Sequence, residues 1–154
     1  MTGGAVVGPL TGSRLGFIPT EVTTWKRWRK AHPKTTVLEP PLPLEAYRRT
    51  NRGYALYRRK PRPRFPTGPK RTDPRYPPKT PCTIVFRNNK PRCYPHPELR
   101  EGETRDGDLR LRRKGKFVTV HDAKGALVPS MTGYWFAWCA FYPKGTVYTP
   151  KRSD

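Results

Sequence analysis

Acidic residues are scarce in this 154-residue chain: 11 Asp and Glu stand against 32 Lys and Arg, a formal net charge of +21. Self-repulsion of that size works against a compact chain standing alone, so the imbalance calls for a polyanionic partner. Cysteine is scarce too. Cys82, Cys93 and Cys139 are three and cannot all pair within the chain, which points to a reducing compartment or an unused thiol. No C-x-x-C knuckle is present and ten residues separate Cys82 from Cys93, which argues against a zinc site built from these thiols with His32, His96 or His121. Long apolar runs are missing: no segment has the length and apolarity of a transmembrane helix. The opening MTGGAVVGPLTGSRL lacks the basic n-region and apolar core of a secretory signal. A cytoplasmic setting is the expectation from these absences. Apolar residues make up only 34% against 20 prolines, so part of the chain is expected to be ordered by something else.

Catalytic patterns are also missing. Gly8 to Gly12, GPLTG, lacks the Lys-Ser/Thr of a phosphate loop. His121-Asp122 resembles a base with an orienting carboxylate, but adjacent strand side chains point to opposite faces and no nucleophile is fixed beside them. No enzyme, catalytic residue, metal or cofactor is expected.

What the chain does have is an aromatic stretch, Met131 to Tyr148, MTGYWFAWCAFYPKGTVY. It carries no charge before Lys144 and is too short to span a bilayer, so a core helix is expected there. Thr24 to Leu38, TWKRWRKAHPKTTVL, is an earlier copy. Sliding it by 110 positions puts Trp25 on Trp135, Trp28 on Trp138, Pro33 on Pro143, Thr36 on Thr146 and Val37 on Val147, and upstream Ile18-Pro19-Thr20 on Val128-Pro129-Ser130. Such a register implies a duplicated unit: a strand, a Thr20 or Ser130 cap, a W-x-x-W helix, a proline stop and a second strand. In the first copy the helix is predicted over about 21–31. It would dock through Val22, Trp25, Trp28 or Arg29, and His32, with Lys26, Arg27, Arg29 and Lys30 at the positions that make its outer face cationic. The W-x-x-W tryptophans are read as core.

A small hairpin is predicted around Gly8-Pro9 and Thr11-Gly12. Thr83 to Tyr94 suits a hairpin with an Asn88-Asn89 tip and Pro91 on an edge. Glu98 to Asp108 reads as an acidic loop. Leu109, Leu111, Phe117, Val118 and Val120 flank a Lys114-Gly115 turn in a further hairpin, and a turn over 122–125 leads to Ala126–Val128. Between the copies, Glu39 to Leu44 is a proline-stiffened connector. Arg48 to Lys79 is a basic arm with twelve Lys or Arg and one acid, Asp73. Prolines 61, 63, 66, 69, 74, 77 and 78 forbid a regular helix through its second half, and the arm is read as extended. Tyr47, Tyr54, Tyr57, Phe65 and Tyr76 interleave its cations. Arginine forks clasp phosphate and tyrosines stack on bases, a mixture suited to irregular or single-stranded RNA.

Several short motifs carry a family resemblance. They are Gly4 to Gly12 with Arg14-Leu15, Thr24-Trp25 with Trp28, His32-Pro33, Arg75-Tyr76-Pro77-Pro78-Lys79, Arg92-Cys93-Tyr94-Pro95, Tyr134 to Trp138, and Phe141-Tyr142-Pro143. In order and almost end to end, they resemble the bacterial DUF3179 family, which is named for its unknown function. The resemblance implies proteins that look exported, with a further N-terminal portion carrying a Cys-Pro-x-Cys type motif suited to metal or thiol chemistry. No cysteine of this chain lies in such a motif. The cations added through its middle point to a changed partner.

The expected fold is a small α+β domain of short antiparallel strands and hairpins. Two W-x-x-W helices belong to it, the first repeat unit lies over 1–38, the basic arm over 39–80, and the hairpins and second repeat unit over 81–154, packed with 1–38. The expected function is structural RNA binding, as a component of a ribosome or similar ribonucleoprotein that contacts rRNA and neighbouring proteins. Phosphate contacts are assigned to Arg48, Arg49, Arg52, Arg58, Arg59, Lys60, Arg62, Arg64, Lys70 and Arg71. Tyr54 and Tyr57 are assigned to stacking, with further contact faces at Lys26, Arg27, Lys30 and at Arg112, Arg113, Lys114. The alternative is a DUF3179-like accessory or ligand- or metal-binding module of a protein complex without RNA.

Overall fold

Two layers of strands and one helix form the larger part of the protein. A computed structural model of the chain describes residues 3–20, 22–39, 41–61, 63, 73–87 and 90–150. The chain divides into two compact units, one made of Met1–Val22 with Gly68–Asp154 and the other of Thr23–Thr67. The first repeat, expected over 1–38, is therefore shared between them.

The larger unit holds strands β1 Pro81–Arg87, β2 Lys90–Pro95, β3 Gly102–Asp106, β4 Leu109–Lys114, β5 Phe117–His121, β6 Ser130–Tyr134 and β7 Thr146–Val147, with helix α3 Trp135–Phe141. One sheet runs β6-β1-β2-β7 and the other β3-β4-β5. All pairings are antiparallel except β2 with β7. The fold is thus a small α+β domain of mostly antiparallel strands, as expected.

β1 is buried on both faces, and this accounts for the unbroken apolar run TIVF in a segment that also pairs on both edges. Its Val85, with Tyr94 of β2, packs against Leu109 and Leu111 of β4 and Val118 and Val120 of β5. Its Cys82 and Ile84, with Cys93 of β2, pack on Trp135 and Trp138 of α3. The alternation of side chains across a strand sends neighbouring residues into the two different cores. Thr83, on the face of Val85, reaches the buried His96 (Oγ1 to Nε2, 3.0 Å). Burial, then the Arg113 charge, lowers the His96 pKa to about 4.

A clamp over 73–80 fixes the start of α3. Trp135 N–H donates to Thr80 O and Phe136 N–H to Pro78 O (each 2.9 Å). The Trp135 indole N–H donates to Asp73 O (2.8 Å). The Arg75 guanidinium lies 5.4 Å over the same ring and Tyr76 meets it edge-on at 5.0 Å. A bidentate hydrogen bond to Asp73 raises the Arg75 pKa and lowers that of Asp73. Tyr76 O–H donates to Glu98 (2.7 Å), and burial followed by that bond pushes its pKa up to about 12.

The hairpins fall where the sequence places them. Gly4 bridges Arg14 around a turn with Gly8 and Gly12 at positive φ. The tip at Asn88-Asn89 lies outside the described residues. Pro91 pairs with Phe86 at a level that β7 does not reach, because β7 meets only Arg92 and Cys93, so no ladder on that side needs its missing N–H.

Three local expectations differ from what is found. The segment read as an acidic loop contains β3, because Thr104 turns inward and is buried while its neighbours Glu103 and Arg105 face out opposite β4. The expected caps Thr20 and Ser130 sit four residues too early. Ser130 opens β6, which pairs with β1 through Tyr134, and the Thr20 hydroxyl donates to Ser130 O at 3.3 Å. The helices start instead after Thr24, whose side chain accepts from Arg27 N–H, and after Tyr134, which offers no side-chain cap. Strand pairing outweighs the local capping preference here. Finally, the basic arm is not extended throughout: Leu44 to Arg59 is helical.

Candidate nucleic-acid interface

The smaller unit holds helices α1 Trp25–Ala31 and α2 Leu44–Arg59. None of its described residues is buried. α2 forms because no proline lies between Pro43 and Pro61, and a proline immediately before a helix is tolerated. Glu45 lies in its first turn and Arg58 and Arg59 in its last, matching the helix dipole at both ends. The Arg58 Nε–H donates to Tyr54 O (3.4 Å). The helix stops at Lys60, since the residue before a proline resists helical ψ.

Helical spacing sorts the side chains. Arg48, Arg52 and Arg59 share one face, with Arg49 beside it, while Tyr47, Tyr54 and Tyr57 lie on the opposite side. Tyr47 and Tyr54 are exposed and Tyr57 is half-buried. The only acid on α2, Glu45, meets Arg48 at 3.5 Å with both side chains well exposed, a pairing worth at most about 1 kcal/mol. Five arginines thus lie along a rod about 24 Å long with one carboxylate among them.

α1 adds Lys26, Arg27, Arg29 and Lys30, all exposed. Trp25 and Trp28, expected to dock on the core, are 50% and 36% exposed. The cations filling the positions between and beyond them leave no continuous apolar stripe to bury. Trp28 is held from below: its indole N–H donates to Thr35 Oγ1 (3.0 Å) and its ring lies 4.1 Å from that of His32. Trp25 offers an open indole face that the sequence assigned to the core.

Arg112, Arg113 and Lys114 lie on β4. Arg112 is paired with Glu103 (3.2 Å). The Arg113 guanidinium is engaged within the fold, donating to His96 O (2.6 Å), Leu99 O (2.9 Å) and Gly115 O (2.9 Å). Lys114 is exposed. Two residues left out of the sequence assignment stand on the same outer face. Arg105 lies directly opposite Arg110 across β3 and β4, and His121 follows on β5. Like charges placed opposite each other are unfavourable without a counter-ion, and Glu103 supplies one to both Arg105 and Arg112, which lower its pKa. Strand alternation carries the signal for Arg110, because the inward Leu109 and Leu111 turn Arg110 and Arg112 outward.

Arg62, Arg64, Lys70 and Arg71 lie outside the described residues. Among the described residues no three His, Cys, Asp or Glu side chains are grouped to hold a metal ion, and no helix is long and apolar enough to cross a membrane. Cys82 and Cys93 lie buried side by side; their hydrogen bond, then burial, drives the Cys93 thiol pKa far up, so this thiol is unreactive.

A family model described as "Protein of unknown function (DUF3179)" matches residues 1–124. That span takes in the motifs from Gly4 to Pro95, while those at Tyr134 to Pro143 lie beyond it. Compared with curated proteins and with solved structures, the chain finds no match.

Proposed function

The chain belongs to the DUF3179 family, a membership that assigns no activity, and from that premise we propose that it is a non-catalytic RNA-binding protein working within a ribosome or similar ribonucleoprotein. The observation that carries the reading is α2. An arginine face and a tyrosine face share one helix, in a unit whose described residues bury nothing. Arg48, Arg49, Arg52, Arg58, Arg59 and Lys60 meet phosphates, and Tyr54 and Tyr57 stack on unpaired bases. Lys26, Arg27 and Lys30 of α1 form a second contact face, and Arg112 and Lys114 a third, with Arg105 and Arg110 joining it. Arg113 supports the fold instead.

Cations alone would suit any polyanion. The exposed aromatic rings among them favour RNA with unstacked bases over a regular duplex groove. The test is fluorescence anisotropy with a stem-loop RNA over a range of salt concentrations. Affinity falls steeply with salt, and replacing Arg48, Arg52 and Arg59 together by Gln flattens the log–log slope by about 2 to 3. Binding indifferent to salt, or an acidic protein captured from extract with no RNA present, overturns the reading.

A further inference from the structure

The larger unit carries an open groove of about 520 Å³ between the start of β2 and the chain leaving α3. Lys90 and Pro91 form one wall, and Phe141, Tyr142, Lys144 and Gly145 line the rest. Its floor is fixed by packing. A Cβ on Gly145 would come within 2.1 Å of the Trp138 ring and 3.1 Å of Pro91 O, so only glycine lets the backbone lie this low. Tyr142 is braced by Phe86 (centroids 5.6 Å apart) and by Trp138 (5.4 Å). Phe141, by contrast, is 50% exposed at the last position of α3.

Charge decides what the groove takes. Lys90 and Lys144 are both exposed, and among the described residues no acidic side chain lines the groove. An exposed aromatic ring and two ammonium groups lining one groove match a flat π-ring that carries anions. The volume falls in the range of small-molecule sites, and the open side lets a chain pass through. We infer that this groove holds one unpaired nucleotide of single-stranded RNA. The base stacks on Phe141 while the phosphates on either side of it meet Lys90 and Lys144. The inference rests on the RNA-binding reading and adds a base-holding site apart from the cationic helices. Proline-rich peptides also favour grooves of aromatic and proline residues, but they bring no anion for the two lysines.

The probe is adenosine 5′-monophosphate, which presents one base and one phosphate and so isolates the groove from the multi-phosphate contacts of α1 and α2. The full-length protein is titrated and followed by NMR. The nucleotide is expected to shift the ring resonances of Phe141 and Tyr142. Phe141→Ala weakens this binding by about 5- to 100-fold, in line with the loss of one base–aromatic stack. Lys90→Gln and Lys144→Gln each weaken it several-fold, and added salt weakens it further. Phe141 is half exposed, so the alanine variant keeps the wild-type melting temperature; if it does not, Lys144→Glu serves as the second variant. Inorganic phosphate binding as tightly as the nucleotide, a proline-rich peptide binding more tightly, or no shift at Phe141 each overturns the inference. The two readings fail separately. Salt-dependent binding of a long RNA with a silent groove leaves the cationic helices standing. A nucleotide in the groove, with Arg48, Arg52 and Arg59 replaceable at no cost to long-RNA binding, leaves the groove standing alone.

Discussion

Helices α1 and α3 are the same device built twice, 110 residues apart. Each is seven residues long, preceded by an extended residue (φ/ψ −89/150° at Thr24, −107/153° at Tyr134) and followed by one of nearly equal geometry (−130/71° at His32, −131/56° at Tyr142). In each, the residue after the helix donates its N–H to the carbonyl of the second tryptophan, and the N–H three positions further on folds back onto that same residue. Yet Trp135 and Trp138 are 1% and 3% exposed where Trp25 and Trp28 are 50% and 36% exposed. Local sequence dictates the helix, and the residues around the tryptophans decide its fate. Phe136, Ala137, Cys139 and Ala140 let α3 lie against a sheet; Lys26, Arg27, Arg29 and Lys30 at the matching positions keep α1 in water. The difference recurs one turn later. Gly145 presses against the Trp138 ring, whereas its counterpart Thr35 accepts a hydrogen bond from Trp28.

Breaking the two copies at matched positions measures that difference. The largest effect is expected from Trp135→Ala, which removes a ring buried between the clamp and the sheet and costs about 3 to 5 kcal/mol in urea unfolding. Trp25→Ala shifts stability by about 0.5 kcal/mol or less, and equal costs would show that α1 is buried after all. Next comes acid. The His96 pKa is lowered to about 4 from an ordinary 6.5, so the unfolded chain takes up a proton that the folded one resists. The stability tied to His96 is complete above pH 6.5 and is lost as pH falls towards 4, by about 3 kcal/mol in all. This loss belongs to the larger unit alone, and His96→Gln should flatten the pH dependence of unfolding in that window. Third, Gly145→Thr installs the first copy's residue in the second, and the overpacking costs about 1 to 3 kcal/mol. The reciprocal Thr35→Gly loses one exposed hydrogen bond, about 0.5 to 1 kcal/mol. Per site, the smallest effect on stability is expected from replacing Arg48, Arg52 and Arg59 together by Gln, within about 0.5 kcal/mol at each. Its effect on RNA affinity is far larger, and reversal of that order would make the arginines structural.

Much of this was legible in advance, because it depends on short-range patterns. The hairpins followed from alternation and turn residues, and the repeat from two rare tryptophans in register. What was illegible depended on partners distant in sequence. That Ser130 would open a strand depended on β1, some 45 residues earlier. That Trp135 would be enclosed depended on Asp73, Arg75 and Tyr76 folding over it. α2 was illegible for a different reason: it is proline-free but as cationic as the proline-rich segment that begins at Pro61, and charge alone does not separate a helix from an extended chain. At the candidate interface, the cations of the two helices could be named from charge alone. The engagement of Arg113 by three carbonyls, and the placing of Arg105 against Arg110, required the strand register.

The chain leaves the larger unit near Thr20, tied to Ser130, and re-enters it by Asp73, tied to Trp135, so everything in between is topologically a loop whose ends are held by these two contacts. The entropic cost of closing such a loop rises only with the logarithm of its length, about 0.6 kcal/mol per doubling. The closure cost to the larger unit therefore depends only weakly on how long the cationic segment is. Lengthening or shortening the segment costs the sheets little, which makes it a cassette in which the chain can add or lose residues while the larger unit goes on folding as before.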